Sequence, residues 1–430
     1  MSQQFPAQIP TLKFMPRHAT LPFLAIFLVV GVAVHAGQRE KASASHIPTH
    51  TTLMGFTPWP PDLTENAVIR VYKFIDKHAN LIAHHFDNGV PWNQALANAP
   101  FPGPVEEDWS TRRQLTPRRM PVYLALTPLN EDRDGLAPAW TEQGDNQPLP
   151  GKWARRRLNS KRVKKAYLTY VRRAIAYFRP RYLAIGIESN ILISKAPQLW
   201  DDYLELNAYV YSALKLDYPD LPIFATVQYE HLRGIDDDAK RNLRYQVPGV
   251  RQLMRHSDLM ALSTYRFGVI HPNPMTPDYF DVAESFGRPV AVAESGDISK
   301  TVHVFGLKLK ANEADQKAFI SGLLAHATAH GYPFVINWLA IDFDPLLKRL
   351  PKPVREVATI FVHTGLQRTG GKDKPALAVW GAYLQASSLF PCPAMPPVAQ
   401  RRRHDQVPDS RTWMNPDGSL GARPKASQRR

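Results

Sequence analysis

Two glutamates, Glu188 and Glu294, each end a short apolar run in this 430-residue chain. Glu188 closes the run in RYLAIGIESN, residues 181–190, and Glu294 closes the run in RPVAVAESG, residues 288–296. A carboxylate at the end of a buried strand is costly to bury unless it has a partner or a task. One such residue alone is equally well explained by a structural salt bridge. Two of them, on strands that end at the same face, have the chemistry of a proton donor and a nucleophile at a glycosidic bond.

The elements that would position these glutamates alternate along the chain. Apolar runs of strand length are separated by segments with apolar residues at helical spacing, such as 64–79 and 161–178. Eight strand–helix units over roughly 300 residues predict a (β/α)8 barrel with loop insertions, in which all strand C-termini share one face. The predicted strands are Leu53–Trp59, Leu81–Phe86, Pro121–Leu126, Arg181–Ile187, Pro222–Val227, Asp258–Thr264, Pro289–Ala293 and Phe334–Asn337.

Two further residues fall at predicted strand ends. Tyr265 follows the sixth strand in STYRF, and Trp338 follows the eighth in INWLA. With Glu188 and Glu294, they make residues 51–388 resemble the clan A glycoside hydrolases, closest to the endo-β-1,4-galactanase-like families. The resemblance implies a retaining glycosidase in which Glu188 is the acid/base and Glu294 the nucleophile. It also implies that Tyr265 binds the nucleophile and that Trp338 forms the floor of the sugar site. No cofactor and no metal ion is expected.

One position departs from the pattern of that clan. The clan places an asparagine directly before the acid/base residue, where it helps to bind the 2-hydroxyl of the sugar, whereas this chain has Ile187. Asn190 lies two residues after Glu188. If the strand continues, Asn190 points the same way and is predicted to bind substrate in place of the missing asparagine.

Aromatic residues at or just beyond the predicted strand C-termini fit a sugar site, because the C–H faces of sugars stack on such rings. We expect two of the five to serve packing alone. The candidates are Trp59, Trp92, Tyr229, Tyr265 and Trp338.

Several polar residues near the strand ends offer alternatives. Glu230 and Asp87 are reserve carboxylates, either of which would replace one of the chosen pair if a strand is misplaced. His84 and His85 are neighbours on the predicted second strand, so their side chains should point to opposite sides. At most one of them should therefore face the barrel mouth, which disfavours a metal-ligand pair.

The two ends of the chain lack the strand–helix pattern. Lys13 and Arg17 precede the apolar run 21–36, whose last residues suit a signal peptidase. The run falls short of the roughly 20 residues that a transmembrane helix needs. Residues 1–36 are thus predicted to be a signal for export to the periplasm or the outside, with an uncleaved membrane anchor as the alternative. Residues 37–50 are predicted to be a linker, and the Pro/Arg-rich residues 389–430 a disordered tail.

The formal net charge of +15 invites a nucleic-acid function. Its distribution favours another explanation, because ten Lys and Arg residues lie within 152–173 and eight lie within 391–430. A solvated helix face and a basic tail account for both groups, and we expect no nucleic-acid partner. The single cysteine, Cys392, excludes an intramolecular disulfide.

Three functions remain open from the sequence. The favoured one is an exported retaining glycosidase that acts on a polysaccharide or oligosaccharide. Ile187 supports a second, a catalytically silent barrel that binds glycan, with possible membrane attachment through residues 21–36. The third is a barrel enzyme of another chemistry. Hydrolysis of an activated aryl glycoside would separate the first function from the second.

Overall fold

The predicted (β/α)8 barrel is confirmed. The computed structural model describes residues 47–235, 243–265, 275–304 and 306–387, so the export segment, most of the linker and the tail lie outside the described residues. Every pairing in the main sheet is parallel. The strands are β1 Leu53–Thr57, β2 Leu81–Phe86, β3 Val122–Leu126, β4 Tyr182–Ala184, β5 Ile223–Phe224 with Thr226–Gln228, β6 Met260–Thr264, β7 Val290–Ser295 and β8 Phe334–Leu339.

The barrel closes through β5, which is interrupted at Ala225. Its first half, Ile223–Phe224, pairs with β4, and its second half, Thr226–Gln228, pairs with β6. From β4 the order runs through β3, β2, β1, β8 and β7 to β6. The strand order therefore begins and ends on two halves of one strand, and the sheet closes on itself as a barrel requires.

Large side chains fill the interior of the barrel. The ring of Phe334 lies 5.1 Å from that of Tyr123 and 4.7 Å from that of Tyr182, measured between centroids. Tyr123 also stacks on Phe224 at 5.8 Å. Ile187 belongs to the same interior cluster. The residue directly before Glu188 therefore packs in the core beneath the mouth.

Helices surround the sheet, and some of them begin at a side-chain cap. The side chain of Thr64 accepts a hydrogen bond from the backbone of Ala67 at the start of the first helix. Asn312 and Asp315 form a reciprocal capping box at the start of the tenth. The helices are α1 Glu65–His78, α2 Trp92–Ala97, α3 Gly103–Leu115, α4 Lys161–Phe178, α5 Ile191–Lys195, α6 Trp200–Asp217, α7 Tyr229–Leu232, α8 Leu243–Leu253, α9 Asp281–Glu284, α10 Glu313–Ala329, α11 Asp344–Arg349, α12 Lys352–Ala358 and α13 Pro375–Ser387.

The basic stretch of the sequence lies on and before α4, whose apolar side faces the core. Several of its cations pair with acidic residues of α6. These pairs are Arg157 with Asp202, Lys164 with Glu205, and Arg172 with Asp217. Part of the local positive charge is therefore balanced between neighbouring helices.

Several strand bounds differ from the sequence prediction, most of all those of the fourth strand. The fourth strand ends at Ala184 rather than Ile187, because the chain turns before Glu188. Ala79 ends α1 with an extended backbone. The side chain of the next residue, Asn80, accepts from the Met54 amide at 2.6 Å, which ties α1 to β1.

Within the described ranges, none of the helices is both long and apolar enough to cross a membrane. Segment 21–36, the predicted signal or anchor, lies outside those ranges.

Candidate active site

Glu294 lies at the end of β7 and is 6% exposed. The predicted hydrogen bond from Tyr265 is present: its hydroxyl donates to Glu294 Oε2 at 3.1 Å. The pairing of β7 with β6 shifts between Val292 and Glu294. Such irregularities re-aim a side chain at a barrel rim. Oε1 of Glu294 is buried and makes no hydrogen bond within the described part of the chain, so it is the oxygen left to form a bond with a ligand.

Glu188 follows β4 in a tight turn. Its φ angle of 48° lies in the left-handed region, which is uncommon and strained for a residue with a side chain. Its backbone amide donates to Thr226 Oγ1 at 2.8 Å, which anchors the turn to β5. Gly186 permits the turn, since a Cβ there would lie 2.2 Å from the Tyr203 hydroxyl. Local strain held by tertiary contacts is typical of functional positions.

Electrostatics couple the two glutamates. Burial raises the pKa of Glu294 well above its usual range, and the charge of Glu188 raises it further. Burial also raises the pKa of Glu188. The hydrogen bond from Tyr265 counters the shift at Glu294, and the guanidinium of Arg133 counters both shifts. Two carboxyls that repel each other tend to retain one proton between them. The upward shift is larger at Glu294, whereas a pair with Glu188 as the acid needs the shared proton on Glu188.

Arg133 is the site residue that sequence reasoning missed. It lies in the loop after β3, is 4% exposed, and donates from Nη2 to Asp87 Oδ2 at 2.8 Å. Nη1 donates to the Asn130 carbonyl at 2.6 Å. The sequence signal was a mixed-charge run, EDRD, at 131–134. Asp87, proposed as a reserve carboxylate, is thus a partner of this buried cation.

His85 and Trp338 form a wall beside Glu294. Nδ1 of His85 lies 3.4 Å from Glu294 Oε1, and the His85 ring meets Trp338 edge-on at 4.7 Å. Burial lowers the pKa of His85 to about 4, so the ring is neutral at neutral pH. His84 points to the other side, where its Nε2 lies 2.8 Å from Thr116 Oγ1. The predicted alternation of the two histidines is confirmed.

Trp338 and Trp59 lie where the sequence analysis placed them, at strand ends of the barrel. Both are partly exposed and pack against one cluster, which includes Tyr265 and Phe343. Trp338 is the residue skipped in the pairing of β8 with β1, so a bulge presents it. Its carbonyl accepts a hydrogen bond from Thr57. Of the five predicted aromatic residues, these two are the ones that remain partly exposed.

Two of the predicted aromatic residues, Trp92 and Tyr229, are buried in the protein instead. Trp92 is 1% exposed and donates from its indole to the Ala137 carbonyl at 2.9 Å. Tyr229 is fully buried and donates to the Tyr279 carbonyl. Both rings therefore serve packing, as expected for two of the five aromatics.

Asn190 is also fully buried, which corrects its predicted role. Its Oδ1 accepts from the Gln228 amide at 2.8 Å. Its Nδ2 donates to the Gln228 carbonyl and to Gln246 Oε1, each at 3.1 Å. The chain turns at Glu188 instead of continuing as a strand, so Asn190 joins the turn to β5 and α8 and is not free to bind a sugar hydroxyl.

Glu230, the other reserve carboxylate, is 2% exposed and held by neutral donors. Thr264 and Tyr279 each donate to its Oε1 at 2.6 Å, and Gln228 donates to its Oε2 at 3.0 Å. Its charge contributes to the raised pKa of Glu188. Glu230 is thus an electrostatic neighbour of the acid rather than a replacement for it.

Comparison with solved structures finds this fold in glycoside hydrolases. The exo-β-1,4-mannosidase Op5Man5 from Opitutaceae bacterium strain TAV5 matches with a TM-score of 0.55 and 14% identity, over 79% of this chain and 60% of that one. GH5_18 from Streptomyces cattleya in complex with GlcNAc matches with a TM-score of 0.55 and 16% identity, over 80% and 83% of the two chains. The shared feature is the fold. The chain spans only 60% of the mannosidase, and no protein-family model or curated protein matches the sequence.

Removing the Tyr265 hydroxyl should weaken the site without changing its shape. In Tyr265→Phe, Glu294 loses a hydrogen bond to a charged group worth about 1.5–3 kcal/mol, which corresponds to roughly a 10- to 100-fold loss in kcat/KM. The acidic limb of the pH profile should move to higher pH, because that hydrogen bond lowers the pKa of Glu294. Tyr209→Phe, at an exposed tyrosine, is the control. An unchanged pH profile would contradict this role for Tyr265.

Removing the Arg133 charge should move the whole pH profile upward. Arg133 lowers the pKa of both glutamates, so in Arg133→Met the ionisation of Glu294 and the deprotonation of Glu188 should both occur at higher pH. We expect both limbs of the kcat/KM profile to shift by about one unit. Arg118→Met, at an exposed position, should shift neither. Circular dichroism checks that the variant folds, and limbs that stay in place would contradict the prediction.

Proposed function

We propose that this protein is a retaining glycoside hydrolase with Glu188 as acid/base and Glu294 as nucleophile. The observation that carries the proposal is the shielded pair of carboxyls beyond β4 and on β7, with Tyr265 bound to one oxygen of Glu294 and the other oxygen free of hydrogen bonds in the described structure. In a barrel mouth of this kind the two carboxyls share one proton, and the hydrogen bond from Tyr265 keeps Glu294 oriented for attack.

The reaction has two steps. In the first, Glu188 gives its proton to the glycosidic oxygen while Glu294 Oε1 bonds to the anomeric carbon, and the aglycone leaves as an alcohol. In the second, Glu188, now a carboxylate, takes a proton from a water whose oxygen attacks the same carbon. The bond to Glu294 breaks, both carboxyls return to their starting state, and the anomeric configuration is retained.

We propose a β-linked, neutral hexose glycan as substrate class. The matched structures support this choice, because one is an exo-β-1,4-mannosidase and another, a variant of the Streptomyces cattleya enzyme, holds Manβ1-4GlcNAc at a TM-score of 0.54 and 15% identity. The galactanase-like resemblance of the sequence adds β-1,4-galactan to the candidates. Trp338 and Trp59 supply the aromatic surfaces on which such sugars stack.

A panel of activated aryl β-glycosides tests the reaction class. At least one of the aryl mannoside, galactoside, glucoside and xyloside should be hydrolysed. Turnover of that substrate should be lost in Glu294→Ala. Mannan, galactan and bacterial exopolysaccharides then test the glycan. Turnover that persists in Glu294→Ala would overturn the assignment of the nucleophile.

Ile187 favours a second candidate, a silent barrel that binds glycan. Ile187 is 1% exposed within the interior cluster, where it offers no hydrogen bond to a sugar. Calorimetry and the aryl glycoside panel together distinguish the two functions. A silent barrel would bind oligosaccharide in calorimetry but leave every aryl glycoside of the panel intact.

We also propose that the protein is exported. The basic residues, the apolar run and the cleavage site of segment 1–36 support this proposal. N-terminal sequencing of the exported protein should then begin near Gly37. An intact Met1 in the membrane fraction would show that residues 21–36 are an anchor instead.

A further inference from the structure

Three metal-ligating side chains meet on the outside of the barrel, away from the mouth. Glu284 ends α9, His326 lies in the last turn of α10, and His330 follows that helix as its C-cap. One ligand atom from each lies within 4.8 Å of the others. The two histidines are four residues apart on the helix, a spacing that puts both rings on one face.

This cluster is separate from the catalytic site. It adjoins the N-terminal end of β7, because a cavity of about 290 Å³ is lined by Glu284, His330 and Val290, the first residue of that strand. Glu294 lies four residues further along β7, which corresponds to about 13 Å of strand. A ligand bound at the cluster would therefore not touch the glutamate pair.

The contacts converge on one carboxylate oxygen. Glu284 Oε1 lies 2.9 Å from His326 Nε2 and 2.8 Å from His330 Nδ1. The Tyr332 hydroxyl donates to the same oxygen at 2.7 Å. In the metal-free protein, the two imidazoles hold this oxygen as N–H donors.

We propose that Glu284, His326 and His330 form a binding site for a divalent transition-metal ion, with Zn²⁺ as the preferred occupant. Two imidazole nitrogens and one carboxylate oxygen are ligands that Zn²⁺ accepts in a four-coordinate site, with water in the remaining position. Ca²⁺ and Mg²⁺ prefer oxygen ligands alone and are disfavoured. The ion would link α9 to α10 across the base of β7.

Binding requires a proton to move within each ring. A neutral imidazole carries one N–H, and its other nitrogen holds a lone pair. When the N–H shifts to the nitrogen that faces away from Glu284, the nitrogen that faces it becomes a ligand. A neutral ring thus binds the ion without net loss of a proton.

The cluster also has to open slightly. Bonds of about 2.0–2.1 Å at tetrahedral angles put ligand atoms roughly 3.3 Å apart, whereas the present separations from Glu284 are 2.8 and 2.9 Å. The two rings are stacked at 3.9 Å and 18°, so one must turn to aim at a common ion. His330 can turn because its side chain is 43% exposed at the end of the helix, whereas that of His326 is 9% exposed.

A second cluster, Asp342, Asp344 and His363, differs by having an ammonium group bonded to one of its carboxylates. The ligand atoms are similarly close, but Lys374 Nζ donates to Asp342 Oδ1 at 2.7 Å. The ammonium group of Lys374 already balances the charge of Asp342, and the Lys374 side chain is only 1% exposed. Glu284 pairs instead with two imidazoles, each of which can offer a lone pair to a divalent cation, so this cluster is the better candidate.

Titration of the full-length protein with ZnCl₂ at pH 7.5, followed by calorimetry, tests the site. We expect one Zn²⁺ ion per chain to bind at this cluster, and we expect this binding to raise the melting temperature. His330→Gln and Glu284→Gln should each weaken that binding at least tenfold and remove the thermal shift. Two control variants should neither weaken the binding nor remove the thermal shift. They are His303→Gln, at an exposed position in the strand Val302–Val304, and His363→Gln, in the second cluster.

Circular dichroism without metal shows whether each variant folds, and His330 is exposed enough that its replacement should leave the fold intact. Anomalous diffraction at the zinc edge should place the ion between the three side chains. Binding that is unchanged in His330→Gln and Glu284→Gln, or no stoichiometric binding by the parent protein, would overturn the proposal. The readouts are affinity and melting temperature, so the result does not depend on the proposed glycosidase activity.

Discussion

Glu294→Ala should reduce turnover of every substrate, activated or not, by on the order of 10⁴-fold or more. The reason is that the variant has no atom to form the covalent bond to the anomeric carbon, and no neighbour can take its place. His85 is neutral, and Asp87 is paired with Arg133. Steady-state kinetics on the best aryl glycoside of the panel measures the loss. Glu107→Ala, at an exposed position, is the control and should retain full activity.

Replacing Glu294 by the neutral glutamine should not harm the fold. Burial raises the pKa of Glu294 above its unfolded value, so stability is lost as the pH rises through the folded pKa. Glu294→Gln removes this loss and should melt at the same or a higher temperature than the parent at neutral pH. Near pH 4, where both glutamates are protonated in the folded protein, the difference should shrink. A large drop in melting temperature at neutral pH would show that Glu294 has a structural role instead.

Glu188→Ala should separate substrates by their leaving groups. A general acid contributes roughly 10²–10⁴-fold when the departing oxygen needs a proton. We therefore expect a loss of that size for oligosaccharides and alkyl glycosides, and a much smaller loss in the first step for activated aryl glycosides. A plot of log kcat/KM against leaving-group pKa should be steeper for Glu188→Ala than for the parent. Equal slopes would contradict the role of Glu188 as the acid.

Added azide distinguishes the two stereochemical outcomes. In Glu188→Ala, azide needs no base and should attack the glycosyl–Glu294 intermediate, which restores turnover and releases a glycosyl azide of retained configuration. Retention also requires the carboxyl groups to lie about 5–5.5 Å apart, whereas inversion requires about 6.5–9.5 Å to seat a water. An azide product of inverted configuration would overturn the retaining mechanism.

The sequence determined the barrel and the approximate position of each of its strands. Periodicity placed all eight strands, because a strand buried on both faces shows an uninterrupted apolar run whatever surrounds it. The convergence of strand C-termini then brought Tyr265 to Glu294 and Trp338 to the same rim, since closure of a parallel barrel leaves little freedom there. The opposite orientations of the His84 and His85 side chains followed from the alternation of side chains on a strand.

Only the tertiary structure decided what the loops do. Arg133 is buried in the loop after β3 and bonded to Asp87, and from there its charge lowers the pKa of both glutamates. Asn190 turns inward because Glu188 takes a left-handed backbone, and Trp92 is buried against residues far along the chain. These outcomes depend on contacts between distant segments, which leave no period in the sequence. The meeting of Glu284 with His326 and His330 likewise requires α9 and α10 to pack side by side.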